Sequence, residues 1–141
     1  MGRFAHEAAV CGIPVVGKPL AFYMGCDSRN EYIYKFVSTA NWDAADIGGG
    51  LTAGDKYLNE GKLYVAKFNS TGAGEWIELS FSNPLISAYS STSYPGFTFA
   101  SQADIYVHTR LAADAVGATK MDRPEWGAVN HANGEIYFAL T

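Results

Sequence analysis

The chain has 141 residues, of which 48% are hydrophobic and 17% charged, with a formal net charge of −4. That length suits one domain and falls short of a closed β-propeller, which takes at least about four blades of roughly 40–45 residues. The low charge excludes a coiled coil or a charged disordered tail, and the acidic balance offers no basic field to nucleic acid or to an anionic membrane.

The N-terminus carries no targeting pattern. Met1-Gly2-Arg3-Phe4 is not followed by an apolar run of signal-peptide length. His6 stands where a myristoylation motif takes Ser or Thr. Residues 4–10 lead into Cys11-Gly12-Ile13-Pro14. A turn at Gly17-Lys18-Pro19 precedes a strand over Leu20–Met24, and Asp27–Asn30 is a turn by composition. Glu31–Val37 reads as a strong strand, with Ile33, Lys35 and Val37 on one face and Tyr32, Tyr34 and Phe36 on the other. Cys11 and Cys26, the two cysteines, fit no zinc spacing. They read as small buried residues, and a disulfide between them would require an exported protein.

Residues 38–58 read as a long loop around Gly48-Gly49-Gly50. It is not a phosphate loop, since no Gly-Lys-Ser/Thr ending follows. Lys62–Phe68 and Trp76–Leu79 form strands joined by the hairpin-like Asn69–Gly74. Residues 80–98 are polar and irregular. The uncharged stretch Leu79–Ala103 contains two prolines and many hydroxyl residues, so it is no membrane span. The period then changes. Ala100, Ala103, Val107, Leu111 and Ala115 fall at helical spacing and predict one amphipathic helix over about 102–116. Ser101 with Asp104 resembles a capping box, and Gly117 sits at the C-cap. Trp126–Val129, the turn His131–Gly134 and Glu135–Leu140 complete a last hairpin. His108 and His131 are expected to face solvent.

Two segments repeat weakly. Residues 3–10 and 123–129 each place an Arg, then a Glu, before a short apolar strand ending Ala-Val. Each is followed by a turn and an aromatic-rich strand, the layout of an inner propeller hairpin. Glu7 and Glu125 would then converge on one axis. Carboxylates held close need a cation between them, and hard oxygen donors favour calcium or another hard metal. Coincidence among short strands explains the repeat equally well.

Gly117-Ala-Thr-Lys-Met-Asp-Arg-Pro-Glu-Trp126 resembles the hallmark segment of the PhoX-type alkaline phosphatases. Gly2–Ala9, Tyr32–Ser38, Gly61–Phe68 and Thr109–Asp114 are similar to that family in the same order. The resemblance implies a mainly β fold, a partial six-bladed propeller of about two to three blades with one inserted helix. It implies phosphomonoester hydrolysis by a calcium and iron cluster. It makes Glu7, Asp27 and Glu125 metal ligands and gives Arg123 the task of gripping a phosphate oxygen. Paired structurally with Glu125 or Asp122, Arg123 would have no such task. Asp122, His6 and Glu31 stand behind these as supporting positions, with Glu31 otherwise a solvated strand edge.

Cys26 departs from the family's usual Asp and receives no metal role. The family's cysteine iron ligand lies upstream of the matched region. The chain is therefore expected to be one fragment, 1–141, truncated at both ends and dependent on missing blades. The resemblance also implies export to the periplasm or beyond. The competing reading is a non-catalytic module with at most weak calcium affinity.

Overall fold

Tyr34, Phe36 and Ser38 alternate inward along one strand, and that alternation builds the main sheet. The computed structural model describes residues 1–141. Its strands are β1 (His6–Cys11), β2 (Pro19–Cys26), β3 (Arg29–Glu31), β4 (Ile33–Asn41), β5 (Gly61–Phe68), β6 (Gly74–Glu78), β7 (Met121–Asp122), β8 (Pro124–Val129) and β9 (Ile136–Leu140). The helices are α1 (Gly50–Leu58), α2 (Pro84–Ser87), α3 (Gln102–Val107) and α4 (Thr109–Ala115). Five strands form one antiparallel sheet in the order β1-β2-β4-β5-β6, while β3 pairs with β7 and β8 with β9. The fold is thus mainly β, with antiparallel sheets that do not close on themselves. No helix is long and apolar enough to cross a membrane.

The core lies on one face of the large sheet. Met24, Tyr34, Phe36, Leu63 and Val65 meet Ile105 of α3, Ala112 and Ala113 of α4, and Val116 at the C-cap of α4. Each fully buried large aliphatic side chain contributes roughly 1.5–3 kcal/mol. On the opposite face Tyr23, Lys35 and Tyr64 stand in register. The Lys35 ammonium lies 4.7 Å from the Trp76 ring and 5.0 Å from Tyr64, a cation–π arrangement.

The single helix expected over 102–116 is two helices, broken at His108, where φ is −112° and ψ is 44°. The cause is a long-range contact. The Arg3 N–H donates to the Tyr106 carbonyl at 2.8 Å and to Thr109 Oγ1 at 3.1 Å. In a continuous helix that carbonyl would serve the Arg110 N–H. The ends match expectation. Ser101 Oγ accepts from the Asp104 N–H, and the Asp104 carboxylate accepts from the Ala100 N–H at 2.9 Å. Gly117, at φ +62°, donates to Asp114 O, and Ala118 donates to Ala113 O. Those two bonds form a Schellman motif, which the left-handed glycine makes possible.

The loop expected over 38–58 is corrected as well. Strand β4 runs on to Asn41, and α1 begins directly at Gly50. Tyr57 anchors this helix. It is buried against Trp42, and its hydroxyl donates to Asp46. With Leu51 exposed, α1 has little apolar periodicity to announce it. Within 80–98, Asn83 caps the short helix α2, whose Ile86 is fully buried.

Candidate active site

The two segments of the weak repeat come together: β8 packs beside β1 and against β2. Gly25 in β2 permits the approach. A Cβ built there would lie 2.4 Å from the Pro124 carbonyl oxygen and 3.0 Å from that of Glu125. Only glycine leaves room for a second backbone at that distance.

The chain reaches β8 through a sharp bend. Strand β7 pairs with β3 through Arg29↔Asp122 and Glu31↔Met121, and the next residue, Arg123, has φ +39°. A non-glycine residue in the left-handed region is uncommon. Before a proline, extended backbone is the preferred state. Such a conformation costs of order 1–3 kcal/mol and persists where the surroundings impose it. The bend aims the Arg123 side chain at Asp27, which follows β2.

Arg123 Nε lies 3.0 Å from Asp27 Oδ1, and Nη2 donates to Asp27 Oδ2 at 3.3 Å. Nη2 also lies 3.2 Å from Glu125 Oε1. The guanidinium is thus bracketed by two carboxylates, and the Arg123 side chain remains 44% exposed. Glu125 Oε1 accepts a further bond from Thr141 Oγ1 at 2.6 Å. With Nε and Nη2 engaged by these carboxylates, the N–H groups of Nη1 are the donors this guanidinium has left for an oxyanion.

The other expected residues are placed as follows. Glu7 lies exposed on β1 beside a register irregularity that falls between His6 and Ala9. It joins no ion pair with the Arg123 group. Asp122 is exposed, and its backbone, not its carboxylate, does the pairing. His6 stacks on Phe4 at 3.7 Å, with Nε2 3.0 Å from the Gly2 carbonyl oxygen, and Phe4 stacks in turn on Tyr34. Its contacts are therefore structural. His108 and His131 are exposed, as expected. Cys11 and Cys26 are free thiols; burial pushes both upward in pKa.

Glu31 is not a solvated edge residue. It is 7% exposed and accepts from Arg110 Nε at 2.6 Å. Alternation along a strand could not reveal this, because the partner lies on α4. Sequence reasoning also missed Gly25, whose role depends on a segment about a hundred residues away. The family-like run Thr109–Asp114 was the available signal for Arg110.

The donor chemistry suits a hard cation, since Asp27 and Glu125 offer carboxylate oxygens. Asp27 Oδ1 is buried and accepts no aligned hydrogen bond, with Arg123 Nε as its cationic neighbour at 3.0 Å. The number of donors is small. No group of three or more His, Cys, Asp or Glu side chains gathers closely enough to hold a metal ion. Calcium takes about six to eight oxygens, more than these two carboxylates supply.

The family model described as alkaline phosphatase PhoX matches residues 1–141. Among solved structures, the chain is similar to Pseudomonas fluorescens PhoX in complex with vanadate, a transition state analogue. The identity is 39% and the TM-score 0.80, over 97% of this chain and 23% of that one. The chain therefore spans less than a quarter of that relative's length. No curated protein matches it. The expected partial propeller is consistent with this fit to one section of a larger fold. With the family model matching the whole length and a 39% identical PhoX structure covering 97% of the chain, the chain belongs to the PhoX alkaline phosphatase family.

Proposed function

We propose that this chain contributes part of a phosphomonoester-hydrolysing site, with Arg123 as its phosphate-gripping residue. The observation that carries the reading is the Arg123 fork, half-exposed between Asp27 and Glu125. Arg123 would direct N–H donors at a phosphate oxygen and stabilise the charge that builds there during transfer. Asp27 and Glu125 hold the guanidinium in place and, with Glu7, would face the metal cluster that family resemblance assigns to calcium and iron. When bound, such ions stabilise transition-state charge and activate the attacking oxygen. The remaining ligands would come from other blades, and small phosphomonoesters would be the substrates. Export to the periplasm or beyond belongs to the same reading.

One observation favours a second reading for the 141-residue chain alone. With no cluster of three metal-binding side chains, it would act as a non-catalytic binding or structural module with at most weak calcium affinity.

The test is a chimera in which this chain replaces the segment it matches in the Pseudomonas fluorescens protein. With calcium and iron present, the chimera should hydrolyse p-nitrophenyl phosphate, and Arg123→Gln should lower kcat by about 10²–10³-fold, the scale for one charge-stabilising donor. Full activity of a folded Arg123→Gln chimera would overturn the assignment. Turnover by the 141-residue chain alone would overturn its incompleteness.

A further inference from the structure

Both partners of the Arg123–Asp27 pair hang from one short ribbon. Strand β3 begins two residues after Asp27, and β7 ends immediately before Arg123. The ribbon has only two paired positions, Arg29↔Asp122 and Glu31↔Met121. An isolated two-stranded hairpin is marginal in water, so something else must hold it.

Helix α4 does so at two adjacent points. Arg110 donates from Nε to Glu31 Oε1 at 2.6 Å. One residue on, the Tyr32 hydroxyl donates to Asp114 at 2.5 Å, and Lys120 Nζ lies 3.3 Å from the same carboxylate oxygen. Helix α4 is itself fixed by buried Ala112 and Ala113 and by its Schellman end. The Glu31 side chain is about nine-tenths buried, and its second oxygen, Oε2, accepts no hydrogen bond. The fully buried Tyr34 hydroxyl is equally without a partner. Arg110 therefore supplies the ionic partner of a buried carboxylate that lies beside the Cys26 thiol. The contact lines a cleft of about 510 Å³ together with Tyr94, Phe97 and His108.

We propose that Arg110, acting through Glu31, is a positioning residue that fixes the β3–β7 ribbon and so sets the spacing of Arg123 from Asp27. The inference rests on the reading of Arg123 as the phosphate-gripping group. Lysine cannot substitute, since it lacks the rigid fork that meets a carboxylate through more than one N–H.

The test reads the Arg123 guanidinium directly, by the Nε–Hε resonance in heteronuclear NMR of the 141-residue chain. Arg110→Lys and Glu31→Gln should each move that resonance and speed its exchange with water by about tenfold. Val116→Ala, which loosens the buried end of the same helix outside the cleft that holds the pair, should leave the resonance in place even if thermal stability falls as far. An unmoved Arg123 resonance in either folded variant overturns the proposal, and so does an equal shift in Val116→Ala. Where one of the pair variants does not fold, the other decides. Because no turnover is measured, this outcome is separate from that of the phosphatase test.

Discussion

A single methyl group at Gly25 should disturb the candidate site without touching any of its charged groups. In Gly25→Ala the new Cβ would sit 2.4 Å from the Pro124 carbonyl oxygen and 2.8 Å from its carbon, and backbone cannot swing aside as a side chain can. Strand β8 would have to retreat by roughly 1 Å to regain ordinary contact, an overpacking change of the kind that costs about 1–3 kcal/mol. For a chain of this size that lowers Tm by about 3–15 °C. Arg123 moves with β8, so its 3.3 Å bond to Asp27 Oδ2 should lengthen out of hydrogen-bond range. Gly54→Ala in α1 is the matched control. Nothing lies within 4 Å of its Cβ and its φ is not positive, so it should stabilise by about 0.8–1 kcal/mol. Thermal denaturation followed by circular dichroism measures both, and the Arg123 Nε–Hε resonance reports the site. A Gly25→Ala protein that melts with the parent and keeps its Arg123 signal would refute the packing argument.

Further outcomes follow from the caps and the buried tyrosines. Ser101→Ala should cost about 0.5–2 kcal/mol by removing the N-cap of α3, seen as a lower midpoint in urea. The Asp104 carboxyl is held below its ordinary value of 3.8, chiefly by the Ala100 N–H. Its contribution is therefore complete above that value and lost as pH falls through the lower folded one; Asp104→Asn should flatten the acid limb of stability below pH 3.8. Burial, followed by the bond to Asp114, raises the Tyr32 hydroxyl, and burial raises Tyr34 well above 10.0. Both tyrosines stay protonated in the folded chain while the unfolded chain loses their protons, so stability should fall above pH 10 by up to about 1.4 kcal/mol per pH unit for each. Tyr32→Phe should reduce that slope, and a slope unchanged in urea titrations between pH 10 and 11.5 would contradict the assignment.

Short-range chemistry was readable from the residues. Alternation in Glu31–Val37 located the central strand, Ser101 and Asp104 marked a helix start, and Gly117 marked its end. The segment Arg123–Trp126 led to the group in which Arg123 meets Asp27 and Glu125, and Asp27 entered only through family resemblance. What could not be read depends on contacts between distant segments. The break at His108 requires Arg3 to capture the Tyr106 carbonyl. Burial of Glu31 requires Arg110. Helix α1 is held by one buried tyrosine behind three glycines, too little for periodicity to register. Glu7 shares the repeat's pattern with Glu125, yet it stands exposed outside the Arg123 group, because sequence similarity of two strands does not set where their side chains meet.

The backbone at Arg123 has an evolutionary consequence. At φ +39°, glycine or asparagine would occupy this position at lower conformational cost. Its ion pairs are half-exposed and return only about 0–1 kcal/mol each. Selection for a stable fold alone would therefore drift away from arginine here. Directed evolution of this chain for thermostability should replace Arg123 early, and on the proposed phosphate-gripping role selection for phosphate handling should restore it, making the position a marker of which pressure a lineage has experienced.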